Sequence, residues 1–267
     1  MDIKKSLYIF KKDWQEIYKN KEIILPVIIL PLIFSVVLPI AILGLAIAIP
    51  EGQVDDIEAL YLLFPMFSGQ ENPVLKTVIW FYVNSMMKPI FLLAPMVLTM
   101  VVAADSFAGE KERKTIETLL VLPITDKELI VGKVLTSLIP GLLGTWGAFG
   151  IFSLIVYFMT FDIMGFFIIG FDWFLLVFLF ATLLSFFSVL LLIINSSRAK
   201  NVKSAQNVAV IVVLPIISLV FTQLTNVFVL NEINTLILSG FLGVLDIAMV
   251  YLGGRQLNRD RLISRIT

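Results

Sequence analysis

Apolar and polar positions divide this chain into an amphipathic leader followed by six long apolar runs. Within residues 1–20, Ile3, Leu7, Phe10, Trp14 and Ile17 recur at steps of four, three, four and three, which is one face of an α-helix. Lys4, Lys5, Lys11, Lys12 and Lys19 cover most of the remaining surface. A helix with Lys on one face and Leu, Phe and Trp on the other lies in the plane of a membrane interface, its cations against anionic headgroups. Residues 1–22 are therefore expected to form an interface helix on membrane lipid, with Leu7, Phe10 and Trp14 as anchors. The apolar runs fall at 23–49, 78–104, 128–159, 173–194, 207–230 and 233–252. Runs of this length suit a hydrocarbon core of ~30 Å. The expected fold class is all-α: a polytopic membrane protein with six transmembrane helices over 23–252, a polar segment at 105–127 and a basic tail at 253–267. Pro26, Pro31 and Pro39 predict kinks in the first span. Gly141, Gly144, Gly147 and Gly150 in the third drift around the helix and predict close backbone approach to neighbours. Ser and Thr within the spans are expected to bond their own backbone.

Composition sharpens this picture. The chain is 59% hydrophobic and 15% charged, with a mean hydropathy of +0.98. A soluble domain has about half apolar and a quarter charged residues. The N-terminus lacks the short apolar core and small-residue cleavage site of a signal peptide, so the first span is expected to persist. Net charge is zero, but the cations are unevenly placed. Six Lys precede the first span, five Lys or Arg lie between the second and third, three follow the fourth and four occupy the tail, eighteen of the twenty in all. Only Lys76 and Lys88 fall on the other side, beside Glu51, Asp55, Asp56, Glu58 and Glu71. Excess Lys and Arg mark the cytoplasmic side, so a multi-pass protein of the cell membrane with both termini cytoplasmic is expected. The acidic loop at 50–77 is then external, with its LYLLFPMF run against the outer interface.

The longest polar interruption, DSFAGEKERKTIETLLVLPITDKELIVGK at 105–133, is the most specific part of the chain. Six charges crowd into residues 110–117, an apolar step of Ile116, Leu119 and Leu120 overlaps their end, and Pro123 punctuates. Thr125 and Glu128 have the spacing of a capping box, and Ile124 and Leu129 that of a hydrophobic staple. The stretch reads as a short charged helix, a break and a deliberate helix start.

Candidate chemistry is sparse. Without Cys or His there is no thiolate nucleophile and no Cys/His metal site. No Gly-x-x-x-x-Gly-Lys-Ser/Thr loop is present to cradle nucleotide phosphates. Catalytic, cofactor and metal residues are therefore expected to be absent, and no nucleic-acid partner is expected. The intramembrane polar residues are Asp246 and Lys88. At ~1.5 Å per residue, Lys88 sits about 12 Å and Asp246 about 20 Å from the outer edges, within reach of an ion pair. Equally, Lys88-Pro89 fits the start of a shorter helix with Lys88 reaching outward.

The 105–133 stretch resembles the permease subunits of the type-2 ATP-binding-cassette exporter superfamily, most closely the multidrug/sodium-exporter-like branch. The resemblance rests on FAGEKERKTIETLL at 107–120, LPIT at 122–125 and ELIVGK at 128–133, and the basic leader and six-span topology extend it over most of the chain. It implies a coupling helix at about 110–120 that docks on a separate ATP-binding cassette ATPase subunit, with Glu110, Arg113, Ile116, Glu117, Leu119, Leu120 and Pro123 at the contact. It also implies pairing of two permeases, as a homodimer or with a related chain, and ATP and Mg held by the partner ATPase. Many members carry a longer outer segment with re-entrant helices between the fifth and sixth spans; here that connection is short. The competing reading is a self-sufficient secondary transporter or channel, which calls for several intramembrane ionisable residues and matched broken helices. Only Asp246 and Lys88 qualify, and a membrane-embedded enzyme lacks a catalytic set.

Overall fold

The computed structural model of the chain describes residues 2–48, 67, 70–113, 124–196, 202, 207, 209–225 and 227–256. These residues form helices and connecting turns, with no strand among them. We number the helices α1 (Ile3–Lys19), α2 (Lys21–Ala48), α3 (Pro73–Gly109, continuing through Glu110–Glu112), α4 (Asp126–Met164), α5 (Phe171–Asn195), α6 (Ala209–Leu224) and α7 (Glu232–Gln256). Helices α2, α3, α4, α5 and α7 are long and apolar enough to cross a membrane, and α6 is a shorter apolar helix.

The bundle is built around α3, the most enclosed of the long helices. Both α4 and α5 pack along it, α7 packs on α5, and α1 lies across the start of α4. The core is aromatic where these helices meet: the Trp173 ring lies 5.0 Å from Phe152 and 5.8 Å from each of Phe91 and Phe149. Gly141 is required at the α3–α4 crossing, because a Cβ there would stand 2.4 Å from Thr99 Cγ2. Gly144 is also closely approached, by Leu98, whereas Gly147 and Gly150 have no neighbour at that range among the described residues. Among the described residues, Gly141 and Gly144 are the glycines of this row in close helix contact.

Seven Ser and Thr hydroxyls in the spans, at Thr145, Ser153, Thr182, Ser185, Ser188, Ser218 and Thr222, donate to carbonyls three or four residues back, as expected. The prolines do not break α2 or α3. Widened π-turns at Ile33–Val37 and Tyr82–Met86 precede Pro39 and Pro89 instead. Such a turn absorbs the local mismatch and lets the helix run on.

Three boundaries differ from the sequence expectation. Helix α4 covers 39 residues, ~58 Å at 1.5 Å per residue, and so outruns the apolar segment at both ends. Helix α3 continues through the π-turn Asp105–Gly109 into Glu110–Glu112, so the charged stretch begins as the last turns of a long helix. Helix α6 stops at Leu224, where Val227 and Phe228 N–H groups fold back on the Thr222 carbonyl at 3.0 and 3.2 Å. Residues to 230 do not continue that helix.

Candidate functional site

Helix α1, the last turns of α3 and the first turns of α4 meet at one end of the bundle. Thr125 caps α4: its hydroxyl accepts the Glu128 N–H at 3.4 Å, and the Glu128 carboxylate accepts the Thr125 N–H at 2.9 Å. The capping box is present, and it has a second use. The other Glu128 oxygen accepts the Asp2 N–H at 2.6 Å, while Asp2 caps α1 by accepting the Lys4 N–H at 3.0 Å. Ser6 donates to the Glu128 carbonyl at 3.0 Å. One carboxylate thus ties the starts of two helices together.

One turn further on, α1 lies against backbone. A Cβ at Gly132 would stand 2.8 Å from Ile9 Cβ and 2.9 Å from the Ser6 carbonyl, so only glycine admits α1 here. Lys133 follows, and its ammonium is buried, 3% exposed, against Glu110 at 2% and Asp13 at 4%. It bonds the Glu110 carboxylate and the Ser106 carbonyl, lies 3.7 Å from Asp13, and stands over the Phe107 ring at 5.2 Å. Ser106 donates to Asp13 at 3.0 Å. Lys12 closes the group from the open side, 3.1 Å from Glu110 and 3.3 Å from Asp13. Burial works against the charged ammonium of Lys12, but Glu110 and Asp13 outweigh it and hold its pKa above the ordinary value. The two buried anions, Glu110 and Asp13, thus face Lys133 and Lys12, as buried charges require, and Lys12 also reaches the exposed Glu16 at 3.5 Å.

Next to this cluster Arg113 binds both oxygens of Asp105, at 2.9 and 3.3 Å, and that bond raises the guanidinium pKa further. The bidentate pair spans the π-turn Asp105–Gly109. Glu112 accepts the Val202 N–H at 3.2 Å, bringing the chain beyond α5 to the same end. The assembly can act as a rigid joint: force applied to the chain leaving Arg113 reaches α3, α4 and α1 through charge-assisted bonds.

Of the residues singled out from sequence, Glu110 and Arg113 stand in this joint. The Glu110 carboxylate is engaged inside the chain, and Arg113 is partly exposed. Ile116, Glu117, Leu119, Leu120 and Pro123 lie outside the described residues. On α1, Leu7 and Trp14 are exposed and Phe10 is half-buried. The face turned to the bundle is a neighbouring one, about 100° further round the helix: Ser6, Ile9 and Asp13 meet the start of α4, and Ile17 packs with Ile23 of α2 and Val102 of α3. Ile17 therefore belongs to the docking face, not to the face of Leu7, Phe10 and Trp14. Sequence reading missed Asp13, Ser106 and the second role of Glu128. Lys133, the last residue of the 105–133 stretch, is the centre of the cluster.

The two intramembrane residues do not pair. Lys88 bonds Asp172, at the start of α5, and donates to the Leu230 carbonyl at 3.1 Å. It lies inside a continuous helix and is buried, so it neither begins a shorter helix nor reaches outward. Both Asp246 oxygens are buried on α7 without a hydrogen-bond partner among the described residues. An Asp in the first turn of a span was the missed signal for the partner of Lys88.

Compared with known proteins, residues 7–256 match the family model described as ABC-2 family transporter protein, which covers nearly the whole chain. No curated protein matches it.

Proposed function

Because the chain belongs to the ABC-2 family of transporter proteins, we propose that it is the membrane-spanning permease subunit of an ATP-driven exporter. It is a transport component, and a separate cassette ATPase carries the nucleotide with its Mg. The ATPase docks on 105–127, both termini lie on its side of the membrane in the cytoplasm, and two permeases pair to form the pathway. Within the family the chain resembles the multidrug/sodium-exporter-like branch.

The joint carries this reading. A loop that served topology alone would need no capping box with a doubled carboxylate, no glycine notch and no balanced buried cluster. Those features fix the roots of the 114–123 stretch to three helices, as a lever requires. In the ATPase contact the exposed charges set orientation and association rate, and Ile116, Leu119 and Leu120 supply the apolar anchor. Glu110 supports the lever from within the chain.

Co-expression with the cassette ATPases of the same genome tests the reading. Leu119→Asp is expected to abolish co-purification of the ATPase while membrane insertion and melting temperature stay unchanged. Undiminished co-purification would remove the docking assignment.

A further inference from the structure

A second polar assembly sits at the opposite end of the bundle, where nothing in the transport reading has given it a task. Its origin is Pro89. Lacking an N–H, Pro89 leaves the Ser85 carbonyl without its helical donor. The Gln223 amide, oriented to satisfy both neighbours, donates to that carbonyl at 2.5 Å and accepts the Leu230 N–H at 2.9 Å. The Leu230 carbonyl in turn accepts from Lys88 at 3.1 Å. Leu230 is fully buried, yet it belongs to no helix, so both of its backbone polar groups are satisfied by side chains of α3 and α6.

The same Lys88 ammonium bonds one oxygen of Asp172, whose other oxygen accepts the Trp173 N–H at 3.0 Å. Trp173 is the centre of the aromatic core, directly beneath. On the far side of Leu230, Asn234 donates to the Val229 carbonyl at 2.7 Å and the Asn231 N–H closes on Val229 at 2.9 Å. Residues 227–231 of the α6–α7 connection are thus folded inward, and the starts of α5 and α7 and the middle of α3 converge on them.

We propose that this connection is a strap closing the outer mouth of the permease and that Lys88, held by Asp172, is its latch. Unsatisfied backbone groups are costly at membrane depth, so Leu230 stays inside only while Lys88 and Gln223 serve it. Release of cargo on that side then requires Lys88 to let go of the Leu230 carbonyl. The strap takes the place of the longer outer segment that many members of the resembled family carry.

The inference rests on the transporter reading, and its test is independent of the ATPase. The chain has no Cys, so Leu230→Cys supplies a sole thiol. Sealed membrane vesicles of known orientation are treated with a membrane-impermeant maleimide. Slow labelling is expected in the otherwise unaltered chain. From the outer side, labelling in Lys88→Met and Asp172→Asn should be faster by about tenfold or more, matching the loss of a buried charge-assisted bond. The milder Asp172→Asn decides the matter if Lys88→Met does not insert. Rapid labelling without the second substitution, an unchanged rate in Asp172→Asn, or reaction from the opposite side alone would each overturn the strap. Co-purification of the ATPase, measured on the same variants, should be unaffected and reports separately on the transporter reading.

Discussion

Replacing Lys133 by Met puts the joint to a quantitative test. The substitution keeps an unbranched side chain, one atom shorter, and removes the charge. Glu110 and Asp13, 2% and 4% exposed, would then lose the buried ammonium between them and keep Lys12, which is 36% exposed. Removing one partner of a buried ion pair costs about 3–5 kcal/mol, since the other charge is left uncompensated. Lys12 remains 3.1 Å from Glu110 and 3.3 Å from Asp13, and Ser106 still donates to Asp13, so the lower end, about 3 kcal/mol, is expected. Replacing both partners by apolar groups is far milder, so Lys133→Met with Glu110→Leu should recover half or more of the loss. Reversible unfolding of the purified chain in mixed micelles measures both values. A loss below about 1 kcal/mol, the range of exposed pairs, or a double variant worse than the single one, would refute the buried cluster.

Other outcomes follow from single contacts. Gly132→Val should undock α1, since even a Cβ meets Ile9 at 2.8 Å; proteolysis within residues 2–19 would accelerate, and unchanged protection would contradict the notch. Asp246→Asn keeps the volume and removes a carboxylate whose oxygens have no partner among the described residues. It should raise unfolding stability by about 1–2 kcal/mol, and a fall would mean that a partner in the assembled transporter holds Asp246.

Much of this architecture is written in periodicity. The spans, the exposed apolar face of α1 and the Thr125–Glu128 box are all local signals within one helix or one turn. What could not be read is set by meetings between helices. The docking face of α1 was hidden because two of its four residues, Ser6 and Asp13, are polar and look like part of the solvated side. Lys133 reads as one more topological cation until Gly132 brings Asp13 beside it. Lys88 finds Asp172 rather than Asp246 because the start of α5 lies against the middle of α3, a placement no one-dimensional count of depth reveals. Gln223 was legible in principle: a Gln in an apolar helix needs partners, and Pro89 has left a carbonyl in need of one.

The central claim is that the segment leaving Arg113 receives work from a cassette ATPase. A photo-crosslinking residue placed at 119 or 120 in native membranes, followed by mass spectrometry of the adduct, tests it most directly. Adducts to the nucleotide-binding subunit, at a yield that changes when ATP is trapped on it, are the predicted result. Adducts only to lipid or to this chain, with no response to nucleotide, would contradict the account.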